Sequence, residues 1–248
     1  MKKSILIFII TYKASFRLQK VYNRIPFNKL KNFEIKILIS DDASFDNTRL
    51  FARKIKLNNN NIILNLNKIN LGYGGNIKHC LNYSIINNYD YAVMLHGDNQ
   101  YDPNYIIKMI KKMSIKKYAA ICGSRMINKC DALKGKMPLY KFFGNIILTN
   151  IFNFFYNTKF TDCHSGFWFY NLSVIKKVKF DQNTNSFNFD NQLRIKLIKN
   201  YKIAEIAIKT YYGTERSSVH LFYALNFLGD ILKDFFLKRY FRKLKQLQ

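Results

Sequence analysis

Short apolar runs alternate with longer amphipathic segments through the first half of the chain. SILIFIIT (4–11), EIKILIS (34–40), NIILNL (61–66), YAVML (91–95) and YAAIC (118–122) are too short for buried helices. They are also too continuously apolar for strands with one wet face. Residues 15–25, 46–57, 74–88 and 103–115 separate them with helix-length patterns. Buried strands alternating with helices predict an α/β domain whose mostly parallel central sheet carries helices on both faces. The second half is less regular. It predicts a helix over 139–157, a turn and strand around 162–170, a helix at 188–199, a strand at 203–208 and a long helix over 219–245. There is no repeat, and three prolines and ten glycines leave no obvious linker in 248 residues. Residues 1–218 therefore read as one domain, and 219–248 as an appended basic amphipathic helix.

Open α/β sheets bind ligands at the carboxyl ends of their strands, and the polar residues of this chain collect there. Thr11 and Tyr12 follow the first run, and Asp41, Asp42, Ala43 and Ser44 follow the second. In ISDDASFDNT, Asp42 or Ser44 is placed to cap the next helix, while Asp41 is free to accept from a base edge or from ribose hydroxyls; an ordinary Asp/Ser turn reads equally well. NLGYGGN (70–76) puts glycines, Gly72 first, where backbone must approach something closely at a helix start. It does not fit GxGxxG. The fourth run ends in HGDNQ, with an imidazole, a carboxylate and an amide at His96, Asp98 and Gln100. Alternate residues of an extended segment share a side. A divalent ion already ligated by a diphosphate needs only one or two protein oxygens, which Asp98 and Gln100 supply.

Charge adds a question. Lys and Arg number 41 against 15 Asp and Glu, a net charge of +26. Phosphorylated substrates, an anionic membrane surface, nucleic acid and simple compositional bias toward Lys, Asn and Ile each account for it. No basic arm or RNP-type aromatic motif is present, so nucleic acid is the weakest of these. Hydrophobic residues at 48% are ample for a folded core. Cys80, Cys122, Cys130 and Cys163 form no CxxC pair, which suits a reduced cytosolic setting. MKKSILIFIITYK has no small-residue cleavage site and reads as a first buried strand rather than a signal peptide. No apolar run reaches the length of a membrane span.

In this order the segments resemble glycosyltransferase family 2 of the GT-A (Rossmann-like) fold, and within it the polyprenyl-phosphate sugar synthases of the dolichol-phosphate mannose synthase group. ILISDDASFDNT is similar to the family's DDGS segment, NLGYGGN to its glycine turn and YDYAVMLHGDNQYDP to its DxD strand end. GSRM (123–126), MPLYKFFGNIILT (137–149), TDCHSGFWFY (161–170), FNFD (187–190) and TYYGTER (210–216) resemble later segments. The resemblance implies that Thr11, Tyr12, Asp41, Asp42, Gly72 and His96 line the nucleotide site. It implies that Asp98, with Gln100, binds Mg²⁺ or Mn²⁺ on a nucleotide-diphosphate sugar, and that Arg125 contacts phosphate. Asp190 stands near the sugar or acceptor, and Lys136, Lys141 and Arg216 near an acceptor phosphate. Four departures from the pattern stand out: His96 for the first Asp of DxD, Lys13-Ala14 for Asn-Glu, Trp168 for Arg, and Asn191-Gln192 for Thr-Glu.

The chemistry so implied is an inverting sugar transfer to a polyprenyl phosphate, whose second pKa of about 6 makes it nucleophilic without a base. The protein would then sit peripherally on the cytoplasmic face of a membrane, with 219–245 either in the membrane interface or docked on the core. Two alternatives remain: transfer to a sugar hydroxyl with Asp190 as base, and a basic binding protein with a decayed nucleotide site.

Overall fold

The computed structural model describes residues 2–213 and 221–246. Seven strands, β1 (Ser4–Thr11), β2 (Glu34–Asp41), β3 (Ile62–Leu66), β4 (Tyr91–His96), β5 (Ala120–Ser124), β6 (Trp168–Asn171) and β7 (Ile203–Ala207), form one sheet in the order β3-β2-β1-β4-β6-β5-β7. The helices are α1 (Phe16–Asn23), α2 (Thr48–Leu57), α3 (Tyr73–Ile86), α4 (Tyr105–Ile115), α5 (Lys129–Lys134), α6 (Leu139–Tyr156), α7 (Leu172–Ile175), α8 (Phe189–Ile198) and α9 (Leu221–Gln246). All neighbouring pairs are parallel except those of β6, which runs antiparallel to both β4 and β5. The expected mostly parallel α/β sheet is the one observed. The antiparallel β6 was not legible from an apolar pattern, which carries no strand direction.

Ile5 to Ile9 of β1 have no solvent exposure, because successive side chains feed two different cores. Ile5, Ile7 and Ile9 pack with Leu18, Val21, Ile55 and Met109 beneath α1, α2 and α4. Leu6 and Phe8 pack with Ile77, Leu81, Phe189 and Leu193 beneath α3 and α8. Each such burial contributes roughly 1.5–3 kcal/mol, and the double cover explains why the run reads as continuously apolar. A third cluster joins α6, α8 and α9 through Phe152, Ile195, Phe227 and Ile231. Among the described residues, no helix is long and apolar enough to cross a membrane.

The close approach expected at the glycine turn is to protein backbone. Gly72 has φ +77°, and a Cβ there would lie 2.7 Å from the Asn185 carbonyl oxygen, while Gly74 N–H donates to that same oxygen at 2.7 Å. The close approach is to the 184–185 backbone. Gly72→Ala should therefore lower the unfolding free energy by roughly 1–3 kcal/mol, seen as a lower urea midpoint.

Candidate active site

The ends of β1 and β2 are tied into one rim. Asp42 N–H donates to Thr11 O at 2.9 Å, and Lys13 N–H donates to the Ser44 hydroxyl at 2.9 Å. Lys13 and Ala43 hold φ of 53° and 60° there, and strained backbone of this kind gathers at functional sites. Asp41 is fully buried. Its Oδ2 accepts from Ser44 N–H at 3.0 Å and Arg49 Nε at 2.8 Å, and its Oδ1 has no partner. Asp42 Oδ1 instead accepts from Leu71 N–H at 2.8 Å and Asn67 Nδ2 at 3.0 Å, so it braces the 67–71 segment. Thr11 Oγ1 is buried without a partner, and Tyr12 is exposed beside it. An unpartnered buried carboxylate oxygen is costly unless a ligand completes it.

Asp98 stands half-buried where β4 ends. Its Oδ1 accepts from Gln100 N–H at 2.9 Å, an Asx turn that passes through Asn99 at φ 67°. Among the described residues Oδ2 has no donor. Asp98 and Gln100 border a cleft of about 510 Å³ that Arg17, Lys20, Lys209 and Tyr211 also line. Among the described residues no three His, Cys, Asp or Glu side chains gather into a metal cage. One hard carboxylate oxygen and one amide beside cationic walls fit a divalent ion that arrives mostly ligated by a diphosphate.

A second centre connects to this strand end through His96, two residues before Asp98. Asp190, in the first turn of α8, is buried; its Oδ2 accepts from the Tyr73 hydroxyl at 2.7 Å, and its Oδ1 has no partner. Burial pushes its carboxyl up to about 7, against the opposing pull of the Tyr73 hydrogen bond and of Arg194. His96 Nε2 lies 3.5 Å from the same Tyr73 hydroxyl, and its ring meets those of Tyr73 and Tyr101 edge-on. Burial keeps this imidazole neutral at lower pH than usual. The His at the DxD position is thus packed between aromatic rings, where a second carboxylate would be hard to desolvate.

Arg125 does not stand open as a phosphate fork. It is buried, donating from Nε and Nη2 to the two oxygens of Asp162 at 2.7 and 2.9 Å and from Nη1 to the Tyr212 hydroxyl at 2.8 Å. Burial alone would raise Asp162, but Arg125 and Asn145 hold its carboxyl well below the usual range. Arg125 is therefore bound internally, because Asp162, which no local motif marks, completes its bidentate geometry. Lys141 Nζ lies 5.3 Å from the Tyr212 ring and Lys136 Nζ 5.4 Å from the Tyr211 ring, which gathers both at the segment after β7. Burial, then the nearby Arg125, lowers the Lys141 pKa. Arg216 lies outside the described residues.

Trp168 stacks on Tyr170 at 5.8 Å, and the guanidinium of the fully buried Arg194 lies 4.7 Å from the Trp168 ring and 4.8 Å from that of Phe160. An arginine from α8 accompanies the tryptophan that departs from the family pattern. Asn191 Nδ2 donates to the Tyr223 hydroxyl at 2.7 Å, and Gln192 links Thr184 N–H to Asp230. This pair of residues, which departs from the family pattern, ties α8 to α9. Sequence reasoning missed Asp162, Tyr73 and Arg194; Tyr73 and Asp162 lie inside matched segments, but nothing local marks their partners, 117 and 37 residues away.

A model of glycosyl transferase family 2 matches residues 6–179. The uncharacterized protein MJ1222 of Methanocaldococcus jannaschii is 27% identical over 207 residues, 83% of this chain and 82% of that protein. The uncharacterized glycosyltransferase MG060 of Mycoplasma genitalium is 27% identical over 65% of this chain and 61% of its own length. Among solved structures, glucosyl-3-phosphoglycerate synthase from Mycobacterium tuberculosis, in complex with Mn²⁺, UDP-glucose and phosphoglyceric acid, superposes with a TM-score of 0.67. It is 12% identical, with 94% of this chain and 80% of that one covered. S. aureus TarS in complex with UDP-GlcNAc gives a TM-score of 0.55 at 15% identity, covering 88% of this chain and 60% of that one. At such identities the likeness establishes the fold.

Proposed function

The chain belongs to glycosyl transferase family 2, and we propose that it moves a sugar, with inversion, from a UDP-sugar to an acceptor hydroxyl that Asp190 deprotonates. The observation that carries this is the unpartnered Oδ1 of a buried carboxylate whose proton is held up to about 7. Such a group is poised as a general base at neutral pH.

Asp41 supports uracil over guanine. With Oδ2 already accepting twice, one buried oxygen remains. The single N3–H of uracil matches one acceptor, whereas guanine presents N1–H and N2–H₂ together and suits a carboxylate with both oxygens open. Neighbouring folds that hold UDP and UDP-sugars agree.

Asp98 and Gln100 would hold a Mg²⁺ or Mn²⁺ ion, which when bound supplies charge to the departing diphosphate. Lys20, Lys209 and Arg17 line the same cleft and raise the local concentration of anions. Asp190 takes the proton of the acceptor hydroxyl as the acceptor oxygen bonds to the anomeric carbon and the bond from that carbon to the UDP oxygen breaks, releasing UDP; Tyr73 holds the other carboxyl oxygen. The Arg125–Asp162 pair fixes the floor beneath Tyr212 and keeps Lys141 close by.

A second reading keeps the polyprenyl phosphate acceptor on an anionic membrane surface. It is favoured by the exposed apolar side of α6, where Leu139, Tyr140, Phe143, Ile147 and Phe154 face solvent, continuing near Lys136 and Lys141. One experiment decides. Purified protein with Mn²⁺ should show a higher melting temperature with UDP-glucose or UDP-GlcNAc than with GDP-mannose. Radiolabelled product from a membrane extract should stay in the aqueous phase for a hydroxyl acceptor. Product extracted into organic solvent would overturn that assignment in favour of the lipid.

A further inference from the structure

Tyr73 lies in the glycine turn, a segment otherwise concerned with backbone packing. Its ring is fixed from three sides: Phe187 at 4.9 Å, the edge of His96 at 5.7 Å, and the 165–167 strand entry. Gly166 makes room there, since a Cβ on it would lie 2.8 Å from the Tyr73 hydroxyl and 2.6 Å from His96 Nε2. So confined, the hydroxyl points its one proton at Asp190 Oδ2, 2.7 Å away. The other carboxyl oxygen is left bare.

We infer that Tyr73 is a positioning residue for Asp190: its hydroxyl pins one carboxylate oxygen so that the other faces the acceptor, and it stabilises the ionised form. This rests on the reading of Asp190 as the base. The hydroxyl touches no reacting atom; it acts through the carboxylate. A charge-assisted hydrogen bond of this kind favours the carboxylate over the acid.

The titratable and charged groups around Asp190 come from four elements. Tyr73 belongs to α3, Tyr170 to β6, Tyr223 to α9 and Arg194 to α8 itself. Burial raises all three tyrosines, so they remain neutral wherever Asp190 titrates, and Arg194 remains charged. His96 reaches the Tyr73 hydroxyl from β4 and is not asked to titrate.

The test is Tyr73→Phe, which keeps the ring against Phe187 and His96. In ¹³C-Asp-labelled protein the Asp190 carboxyl resonance, identified by its loss in Asp190→Asn, should titrate near 7 in the wild type. In Tyr73→Phe its midpoint should move up by about one pH unit. UDP release from UDP-glucose and Mn²⁺, with water as acceptor, should show its acid limb displaced equally. kcat should fall about tenfold below the limb and recover above pH 9, with KM for UDP-glucose unchanged. An unmoved resonance overturns the positioning role. A resonance that moves while the acid limb stays put overturns Asp190 as the base, and the role of Tyr73 in catalysis with it.

Discussion

Asp98→Ala should reduce Mn²⁺-dependent turnover of a UDP-sugar by on the order of 10³-fold, the scale of losing a preorganised electrostatic contact to the leaving group. The structural loss is small by comparison. Oδ1 forms one turn hydrogen bond, to Gln100 N–H, and the strand before it is anchored by Ala92 to Leu95, all fully buried. Removing that bond costs roughly 0.5–1.5 kcal/mol. Asp98→Asn separates the two roles. The amide oxygen still accepts from Gln100 N–H, so the melting temperature should match the wild type, while the missing charge should leave turnover as low as in Asp98→Ala. The thermal shift that Mn²⁺ adds to UDP-glucose binding should vanish in both variants. Wild-type turnover in purified Asp98→Asn would end the metal assignment.

Several residues of the candidate site were legible because an α/β sheet places chemistry at strand ends. Asp41 and Asp98 were singled out by their position after apolar runs, and the Asx turn that Asp98 forms belongs to the same grammar of short polar residues at a strand exit. The alternation of buried strands and helices gave the sheet and nearly all of its helices to within a few residues. The strand at β6 was expected, but its antiparallel direction escaped because a four-residue strand reads alike in either direction. Arg125 was expected to contact phosphate, and its partner Asp162 was not foreseen. A guanidinium after a strand looks available for phosphate until the chain returns 37 residues later with Asp162. Pairing across that distance is decided by packing, to which a local motif is blind. The glycine turn taught the same lesson, since its close approach is to a backbone more than a hundred residues away.

Asp190→Asn carries the sharpest expectation, because activity and stability should move in opposite directions. Turnover should fall by about 10²–10⁴-fold, the usual worth of a positioned general base. Burial raises this carboxyl to about 7, while in the unfolded chain it returns to about 3.9. Between those values the native state binds more protons than the unfolded state, so wild-type stability falls as pH rises from about 4 to about 7. Above pH 7 the charge is buried in both senses of cost, desolvated and only partly matched by Tyr73 and Arg194. Asparagine cannot ionise and escapes that loss. The variant should match the wild type in melting temperature near pH 4 and exceed it at pH 8. A carboxylate kept for structure would show the reverse, with stability lost on substitution at pH 8. The acceptor is decided by the same protein. A lipid phosphate arrives already ionised and has no proton to give up at neutral pH, so Asp190→Asn would then keep most of its turnover, whereas a hydroxyl acceptor leaves it nearly inert.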